Sequence, residues 1–390
     1  MRFFIRFLLI FILVFGIYWI FESFELENRS ITISSECVCK SNKSGKLYDF
    51  CYQLPEDVTR KGKKFSCEWL EKWEEIESSD NFKLINPRIE DIPEPVFVTA
   101  FNDPFLANGL RLISAIRSLG LRTKIVLYDL GFGKENSERI EKHSCNVEIR
   151  AFNFSSYPFH VRNLKEYRWK PVVIAETLRD FGAIWYLDSS LIFEKSDVSH
   201  VYKLVQCHRN VTHRPPMLSD AQRDVREEQE KHEDGWDHEV WHRNLNECRK
   251  VPFLLHGFTG HGIWSVTNPA VYSYFPTNFT LIKKKKAKMY DANLIYAVNT
   301  YETTMEIVKW AYLCALEEEC MGPKGSSLSC DFGEDRFEEY AGCHRYDQSI
   351  INLLLANRYW YDRRYYVSEI VDFFKISRTP TDFKEQLGCL

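Results

Sequence analysis

The 390-residue sequence predicts an α/β fold with a mostly parallel sheet flanked by helices. Between Val96 and Phe193, apolar runs of strand length alternate with helix-periodic segments, an order typical of parallel strands joined by right-handed crossovers. The run Ala183–Leu187 is apolar at every position, as expected for a strand covered on both faces. A hydrophobic content of 45% is ordinary for a globular chain and excludes a disordered one.

The first predicted unit of the sheet begins at Val96–Thr99, a short apolar strand. Asp103 and Pro104 follow as a predicted helix N-cap and first helical residue. The segment Phe105–Leu119 is helix-periodic and ends before Gly120. The pattern therefore predicts a strand, a loop and a helix in that order.

The next two strands are predicted at Lys124–Tyr128, which is followed by Asp129, and at Val147–Phe152. A short helix around Ser137–Lys142 separates them. Further along, Ala292–Glu318 is helical in pattern, and Ile350–Ala356 is an apolar helix. These elements extend the alternation beyond the first half of the chain.

The segment Tyr167–Phe193 carries the strongest functional signal. It predicts a helix with Lys170 near its N-terminus, a C-terminal cap at Gly182, and then the strand that ends in Asp188. Ligands of open α/β sheets bind outside the carboxyl ends of the strands, and helix N-termini favour anions. Asp188 and Lys170 are therefore candidate site residues, although Asp188 could simply begin a turn.

The N-terminus predicts a type II membrane protein. Residues 7–21 form an apolar run that is long enough to span a bilayer with its flanks, after a cytoplasmic tail at residues 1–6. Basic residues precede the run and acidic residues follow it, so the rest of the chain is expected to be lumenal. A cleaved signal peptide is the alternative, although no small-x-small site closes the run.

Cysteines and sequons agree with a Golgi or endoplasmic reticulum address. The 12 cysteines are an even number, as expected in an oxidising compartment. A zinc site formed by the late cysteines with His344 is an alternative, but it lacks tight Cys-x2-Cys spacing. The predicted N-glycosylation sites are Asn28, Asn42, Asn153, Asn210 and Asn278.

The predicted organisation is a cysteine-containing stem at residues 22–94 and a main domain at residues 95–390. Residues 219–250 form a charged insertion whose His232, Asp237, His238 and His242 are either metal ligands or part of a solvated surface. The glycine- and histidine-rich stretch 253–266 is expected where backbone approaches a ligand closely. Lys283–Lys286 is a basic run, interpreted as a solvated loop because a lumenal protein is not expected to bind nucleic acid.

Five segments together resemble a known family: VFVTAFND, KIVLYDLG, YRWKPVVIAETLRDFGAIWYLDSS, CALEEECMGP and CHRYDQSIINLLLAN. They are similar to a nematode-expanded family of unknown function with single-pass, lumenal, glycosyltransferase-like members. The third segment also resembles nucleotide-sugar glycosyltransferases of the GT-A type, in which such a strand ends in Asp-x-Asp. The resemblance covers Val96–Tyr359 and implies a GT-A-like fold and a glycosyltransferase that acts on a lumenal glycan or glycoprotein.

The resemblance also implies a nucleotide-sugar donor and Mn²⁺ or Mg²⁺ held by carboxylates. The motif here reads Asp188-Ser189-Ser190, so its last carboxylate is missing. Three alternatives remain open: other groups complete the metal site, or positive side chains replace the metal, or the site is dead. The candidates to complete the metal site are His261, His344 and Asp347, and the candidates to replace the metal are Lys170, Arg168 and Arg345. The implied roles are donor binding by Lys170, Asp188, Ser190, Asp103, Asp129 and Arg345, metal binding by Asp188 and His344, and catalysis by Asp347 and His261.

Two other functions remain open from the sequence. A catalytically inactive GT-A-like protein would bind glycans or partner proteins without transferring a sugar. A methyltransferase is suggested by the segment Val126–Gly133, whose strand runs into Asp-x-Gly-x-Gly, with Glu148 as the ribose-binding acid. Asp103 and Asp129 also have a plain structural interpretation as cap and turn residues.

Overall fold

The computed structural model describes residues 35–206, 238–378 and 383–389. The predicted anchor at residues 7–21, Asn28, Asn210, His232 and Asp237 lie outside these ranges, as does the side chain of His238. Within the described ranges, no helix is long and apolar enough to cross a membrane. The chain divides into two compact units, Met1–Phe50 and Cys51–Leu390.

The described part of the first unit is a small hairpin. A 3₁₀ turn at Ser35–Cys37 leads into β1 (Val38–Lys40), which pairs antiparallel with β2 (Leu47–Asp49). The hydroxyl of Ser41 accepts hydrogen bonds from the backbone of Lys43 and Ser44 and so shapes the connecting turn. The sequon residue Asn42 is exposed in this turn.

The second unit contains most of the fold. Its strands and helices are, in chain order, β3 (Gln53–Leu54), β4 (Asp57–Lys61), α1 (Leu70–Glu77), β5 (Val96–Phe101), α2 (Leu106–Ser118), β6 (Ile125–Asp129), α3 (Lys134–His143), β7 (Val147–Ala151), α4 (Trp169–Phe181), β8 (Ala183–Asp188), β9 (Leu191–Phe193), α5 (Ser199–Gln206), α6 (His238–Glu247), β10 (Phe253–Leu254), β11 (Phe258–Gly262), β12 (Lys288–Tyr290), β13 (Leu294–Val298), α7 (Tyr301–Thr303), α8 (Lys309–Leu316), α9 (Glu318–Met321), α10 (Tyr346–Arg358) and β14 (Phe374–Ile376). A π-helical turn at Thr304–Val308 joins α7 to α8.

A six-stranded sheet in the order β10-β13-β8-β5-β6-β7 organises this unit. The strands β8, β5, β6 and β7 are parallel, whereas β13 pairs antiparallel with both β8 and β10. The mostly parallel α/β prediction is therefore confirmed. The carboxyl ends of the parallel strands place Phe101, Asp129 and Asp188 at one edge of the sheet.

Most sequence-predicted elements appear within a few residues of their expected bounds. Gly182 ends α4 with φ = 76°, a left-handed conformation that glycine adopts at low cost. The predicted N-cap is displaced by one residue, because Asn102 precedes the 3₁₀ turn Asp103–Phe105. Lys286 is 3% exposed, so the basic run is not a wholly solvated loop.

The predicted helix over Ala292–Glu318 is wrong in its first part. Leu294–Val298 is the strand β13, and the helix begins only at Tyr301, capped by the hydroxyl of Thr300. Every residue of β13 is buried, so the strand lacks the alternation that would distinguish it from a buried helix.

Residues 51–94, which we predicted as part of the stem, pack against the rest of the second unit. The backbone amide of Lys63 donates to the carbonyl of Ser273 over 2.7 Å. The ring of Trp73, on α1, lies edge-on to Tyr312 at 5.7 Å between centroids.

Disulfides join Cys145 to Cys389, Cys314 to Cys320, and Cys330 to Cys343. Every other cysteine in the described ranges is also disulfide-bonded. The zinc site suggested for the late cysteines is therefore wrong, because zinc binds cysteine thiolates and these sulfur atoms are bonded to each other in disulfides. The prediction of disulfide bonds is confirmed.

The core beside β8 contains a buried histidine. The His256 ring stacks on Trp185 at 5.5 Å between centroids, and its Nδ1 lies 2.6 Å from the hydroxyl of Ser368. Burial lowers the pKa of His256 to about 3. The imidazole therefore stays neutral at physiological pH.

We expect this histidine to make stability fall in acid. The unfolded chain takes up a proton near the ordinary pKa of about 6.5, whereas folded His256 does not do so until about pH 3, so stability is lost as pH falls through this window. Between about pH 7 and about pH 5, the loss is about 2 kcal/mol. His256→Phe should remove this loss, as measured by urea unfolding at both pH values. His242→Phe, at an exposed position, is the control, and equal pH dependence in wild type and His256→Phe would contradict the prediction.

Candidate functional site

A buried lysine joins two carboxylates at the carboxyl end of β8. Lys170 Nζ lies 3.1 Å from Asp188 Oδ1 and 2.7 Å from Asp347 Oδ2, and it donates to the carbonyl of Ala292 over 3.2 Å. Lys170 is 2% exposed and Asp347 is 4% exposed. The Asp188 side chain is 26% exposed, so it is the member of this bridge that solvent reaches best. We call Lys170, Asp188 and Asp347 together the Lys170 bridge.

Each member of the Lys170 bridge comes from the end of a regular element. Lys170 lies in the first turn of α4, Asp188 is the last residue of β8, and Asp347 lies in the first turn of α10. Tyr186, two residues before Asp188 on the same face of β8, donates its hydroxyl to Asp188 Oδ1 over 2.8 Å. Rigid elements thus hold the bridge in place.

The electrostatics of the Lys170 bridge keep the lysine charged. Burial lowers the pKa of the Lys170 ammonium, but Asp188 and Asp347 outweigh it, so this pKa lies above its ordinary value. Burial raises the pKa of Asp347 to about 6, although Lys170 opposes the shift. A protonated lysine between two carboxylates is therefore the state at neutral pH.

Backbone strain flanks the Lys170 bridge on both sides. Tyr167, just before α4, has φ = 53°, and Tyr346, next to Asp347, has φ = 43°. Bulky non-glycine residues rarely adopt this left-handed conformation, which costs roughly 1–3 kcal/mol and clusters at functional sites. The hydrophobic pattern contains no sign of this strain.

A second group of charges lies within electrostatic reach of the bridge, and of its members only Arg345 was predicted from the sequence. Asp291 lies in the loop between β12 and β13, and burial raises its pKa to about 6. Arg378 and Arg345 oppose that shift and Asp188 adds to it, so these charges lie within electrostatic reach of Asp291. Among the residues described, the Asp291 carboxylate has no hydrogen bond or ion pair. A Cβ at Gly257 would lie 3.2 Å from Asp291 Oδ2, which shows how closely the backbone approaches this carboxylate.

Asp103, which follows β5, and Asp129, the last residue of β6, accept hydrogen bonds from the local backbone. Asp129 Oδ1 accepts hydrogen bonds from the backbone of Gly131 and Phe132, both over 2.7 Å, so Asp129 closes the turn after β6. Asp103 Oδ1 lies 3.3 Å from the backbone nitrogen of Gly133 and joins this turn to the one after β5. These hydrogen bonds favour the cap and turn interpretation of both residues, and donor binding by them stays a prediction.

Both ring nitrogens of His344 contact backbone groups. Its Nδ1 accepts a hydrogen bond from the backbone of Asn268 over 3.2 Å, and its Nε2 lies 2.9 Å from the carbonyl of Met321. Burial lowers its pKa to about 4, and the side chain is fully buried. Both ring nitrogens therefore have backbone partners, an arrangement that does not favour metal binding, and the metal-binding role of His344 stays a prediction.

The Arg168 guanidinium is engaged by backbone carbonyls and by one carboxylate of the chain itself. Its guanidinium donates to the carbonyls of Ala315, Glu317 and Glu318 and to the carboxylate of Glu166. The side chain is fully buried. Arg168 therefore binds the carbonyls at the end of α8, which is a structural role.

His261 lies on β11, with its ring stacked on Phe332 at 5.4 Å between centroids. Burial lowers its pKa to about 4, so the imidazole is neutral at physiological pH. In the part of the chain that the structure describes, no hydrogen bond or ion pair joins it to the Lys170 bridge. Its catalytic role stays a prediction. Gly262, next to it, is close to Phe337 rather than to an open site.

The site does not fit a resident Mn²⁺ or Mg²⁺. Asp188 is already ion-paired with Lys170, and Ser190 offers only a hydroxyl where the motif would have a carboxylate. Asp347 faces the same lysine. Within the described residues of the second unit, no three His, Cys, Asp or Glu side chains converge as metal ligands would.

The predicted glycosylation sites in the described ranges are accessible to different degrees. Asn42 and Asn153 are exposed, and Asn278 is partly exposed. The Asn278 side chain donates to Glu56 Oε1 over 3.1 Å and accepts hydrogen bonds from the backbone of Thr280 and Leu281. Glycosylation at these positions stays a prediction.

Comparison with known proteins gives one family match. A family model described as "Protein of unknown function (DUF1647)" matches residues 37–175, which include Lys170 but neither Asp188 nor Asp347. No curated protein sequence matches the chain.

Several solved glycosyltransferases resemble the chain weakly. The bifunctional glycosyltransferase WbbM, in its apo form, is 13% identical over 73% of this chain and 40% of its own, with a TM-score of 0.34. The galactosyltransferase LgtC, in complex with donor and acceptor sugar analogs, is 12% identical over 73% of this chain and 87% of its own, with a TM-score of 0.32. GlyE from Streptococcus pneumoniae is 12% identical over 70% of this chain and 45% of its own, at 0.31. TM-scores this low do not establish a shared activity, and this chain spans less than half of WbbM and GlyE.

Proposed function

We propose that this protein is a glycosyltransferase that binds a nucleotide-sugar donor at the carboxyl edge of its sheet and glycosylates a glycan or glycoprotein. The observation that carries the proposal is the Lys170 bridge, which holds Asp188 at the end of β8 with one side toward solvent. The carboxyl ends of parallel strands are where open α/β sheets bind ligands. The sequence resemblance to GT-A enzymes supports the same assignment.

The residues suggest a division of labour. Asp188 accepts hydrogen bonds from hydroxyl groups of the donor ribose or sugar, since an ionised carboxylate is purely an acceptor. Lys170 and Asp347 are positioning residues, because both are buried and engaged with each other. Asp291, half-buried and with a pKa raised to about 6, suits a general base that takes the proton from an acceptor hydroxyl.

The proposal includes a secretory location. Disulfide bonding of every described cysteine supports an oxidising compartment such as the Golgi or endoplasmic reticulum lumen. We also propose a single-pass type II anchor at residues 7–21, and this part is based only on the hydropathy and flanking charges of the sequence.

Thermal unfolding against a panel of UDP- and GDP-sugars tests the proposal. A ligand at 100 times its Kd stabilises a single-site protein by about 2.7 kcal/mol, so one donor should raise Tm clearly. Asp188→Asn should abolish that shift and the release of sugar from the donor. Asp80→Asn, at an exposed position outside the site, should keep both.

Other outcomes would contradict the proposal. If no nucleotide sugar changes Tm, the assignment of a donor site is contradicted. A Tm shift without release or transfer of sugar would favour an inactive binding protein. This is the leading alternative, because Ser190 stands where the motif would have its second carboxylate. Protection by S-adenosylmethionine alone would point to a methyltransferase.

A further inference from the structure

The backbone next to Ser190 comes from the far C-terminal part of the chain. Strand β9 follows Ser190 directly and pairs antiparallel with β14, so that Leu191 lies opposite Ile376. The pairing continues one residue further, because the amide of Ser377 donates to the carbonyl of Ser190 over 2.8 Å. Ser190 stands where the Asp-x-Asp motif would have its second carboxylate. Arg378 therefore directly follows the residue that pairs with this position.

Arg111 holds this segment in place. Its guanidinium, carried by the buried face of α2, donates to the hydroxyl of Ser377 over 3.1 Å and also to the Ser377 carbonyl. Arg111 is 4% exposed. A buried arginine that binds two atoms of one residue orients the backbone at that residue. The contact with α2 therefore fixes the backbone from which the Arg378 side chain extends.

Arg345 is the second arginine within electrostatic reach of Asp291. It directly precedes α10 and the Asp347 carboxylate, and its side chain is half-buried. The charges of Arg378 and Arg345 repel each other. Both interact electrostatically with Asp291 and with Tyr167. Within the described ranges, neither guanidinium has a hydrogen bond or an ion pair.

We propose that Arg345 and Arg378 bind the diphosphate of the donor directly, so that the protein binds its nucleotide without a divalent metal. This inference rests on the proposed function. A guanidinium forms two parallel, charge-assisted hydrogen bonds to a phosphate, which makes arginine suited to this task. The two side chains supply the positive charge that a metal would bring in a site whose own ligands do not fit one. Burial and, to a lesser extent, charge repulsion from Arg378 lower the pKa of Arg345, and a bound anion would offset both effects.

Calorimetric titration of UDP and GDP into the full-length protein tests this inference. The nucleotide that binds should do so in EDTA, and adding Mn²⁺ should change its Kd by less than about threefold. Arg378→Gln should weaken that binding about tenfold to a hundredfold, the range of one charge-assisted pair, and Arg345→Gln should act in the same direction. Arg378→Lys should recover only part, because an ammonium cannot form the parallel pair.

The control variant is Arg88→Gln, which removes an exposed arginine outside the site and should leave Kd unchanged. Arg378 is itself exposed, so Arg378→Gln should keep the wild-type Tm without nucleotide. Binding that requires Mn²⁺ and tolerates Arg378→Gln and Arg345→Gln would overturn this inference and leave the donor site standing. Absence of binding by any nucleotide, with or without Mn²⁺, would overturn the proposed function itself.

Discussion

Replacing Lys170 by methionine is expected to lower the free energy of unfolding by about 3–5 kcal/mol. The substitution leaves Asp347, which is 4% exposed, beside Asp188 without the ammonium that separates them. An uncompensated buried charge costs far more than the ion pair contributes, and the like charges repel each other. Urea unfolding at neutral pH measures the loss.

Two further variants show whether the cost comes from the unpaired carboxylate. Lys72→Met breaks the exposed Lys72–Glu75 pair, whose side chains are 28% and 51% exposed, and should cost less than about 1 kcal/mol. Adding Asp347→Leu to Lys170→Met should recover much of the loss, because it removes the stranded charge. A cost for Lys170→Met similar to that for Lys72→Met would contradict the assignment of Lys170 and Asp347 as a desolvated ion pair.

Replacing Arg168 by methionine is expected to lower the free energy of unfolding by about 3 kcal/mol. The guanidinium donates to the carbonyls of Ala315, Glu317 and Glu318 at distances of 3.2, 2.9 and 2.7 Å. Methionine fills much of the space but leaves these carbonyls, and the carboxylate of Glu166, without their donor. Differential scanning calorimetry or urea unfolding measures the effect.

The conservative variant separates hydrogen bonding from charge. Arg168→Lys keeps the positive charge but cannot direct several donors in one plane, so it should recover less than half of the loss. At a temperature where Arg168→Lys stays folded, its affinity for nucleotide should equal that of wild type. Wild-type stability with lost nucleotide binding would instead place Arg168 in the donor site.

Both variants test the same region from different sides. Lys170 and Arg168 are two residues apart at the start of α4, yet one faces the carboxyl edge of the sheet and the other faces the carbonyls after α8. A helix turns about 100° per residue, so near neighbours in sequence point in different directions. Their shared basic character in the sequence therefore conceals two different roles.

Local pattern was enough to predict the first half of the sheet. Strand-length apolar runs, the cap at Gly182 and the acidic residue at the end of β8 are short-range features, which depend on a few neighbouring side chains. The same reasoning failed at Leu294–Val298, because a run buried on all sides carries no periodicity. It also could not predict the antiparallel direction of that strand.

By itself, the sequence determined the α/β class, the alternation of the parallel strands with helices along the chain, and the choice of Lys170 and Asp188 as neighbours at the carboxyl end of one strand. Only the tertiary structure decided which charges meet there. Asp347 reaches Lys170 from α10, Asp291 enters from the loop before β13, and Arg378 arrives through the pairing of β14 with β9. Contacts between residues far apart in the chain depend on how the elements pack, and periodicity records only the burial of each element.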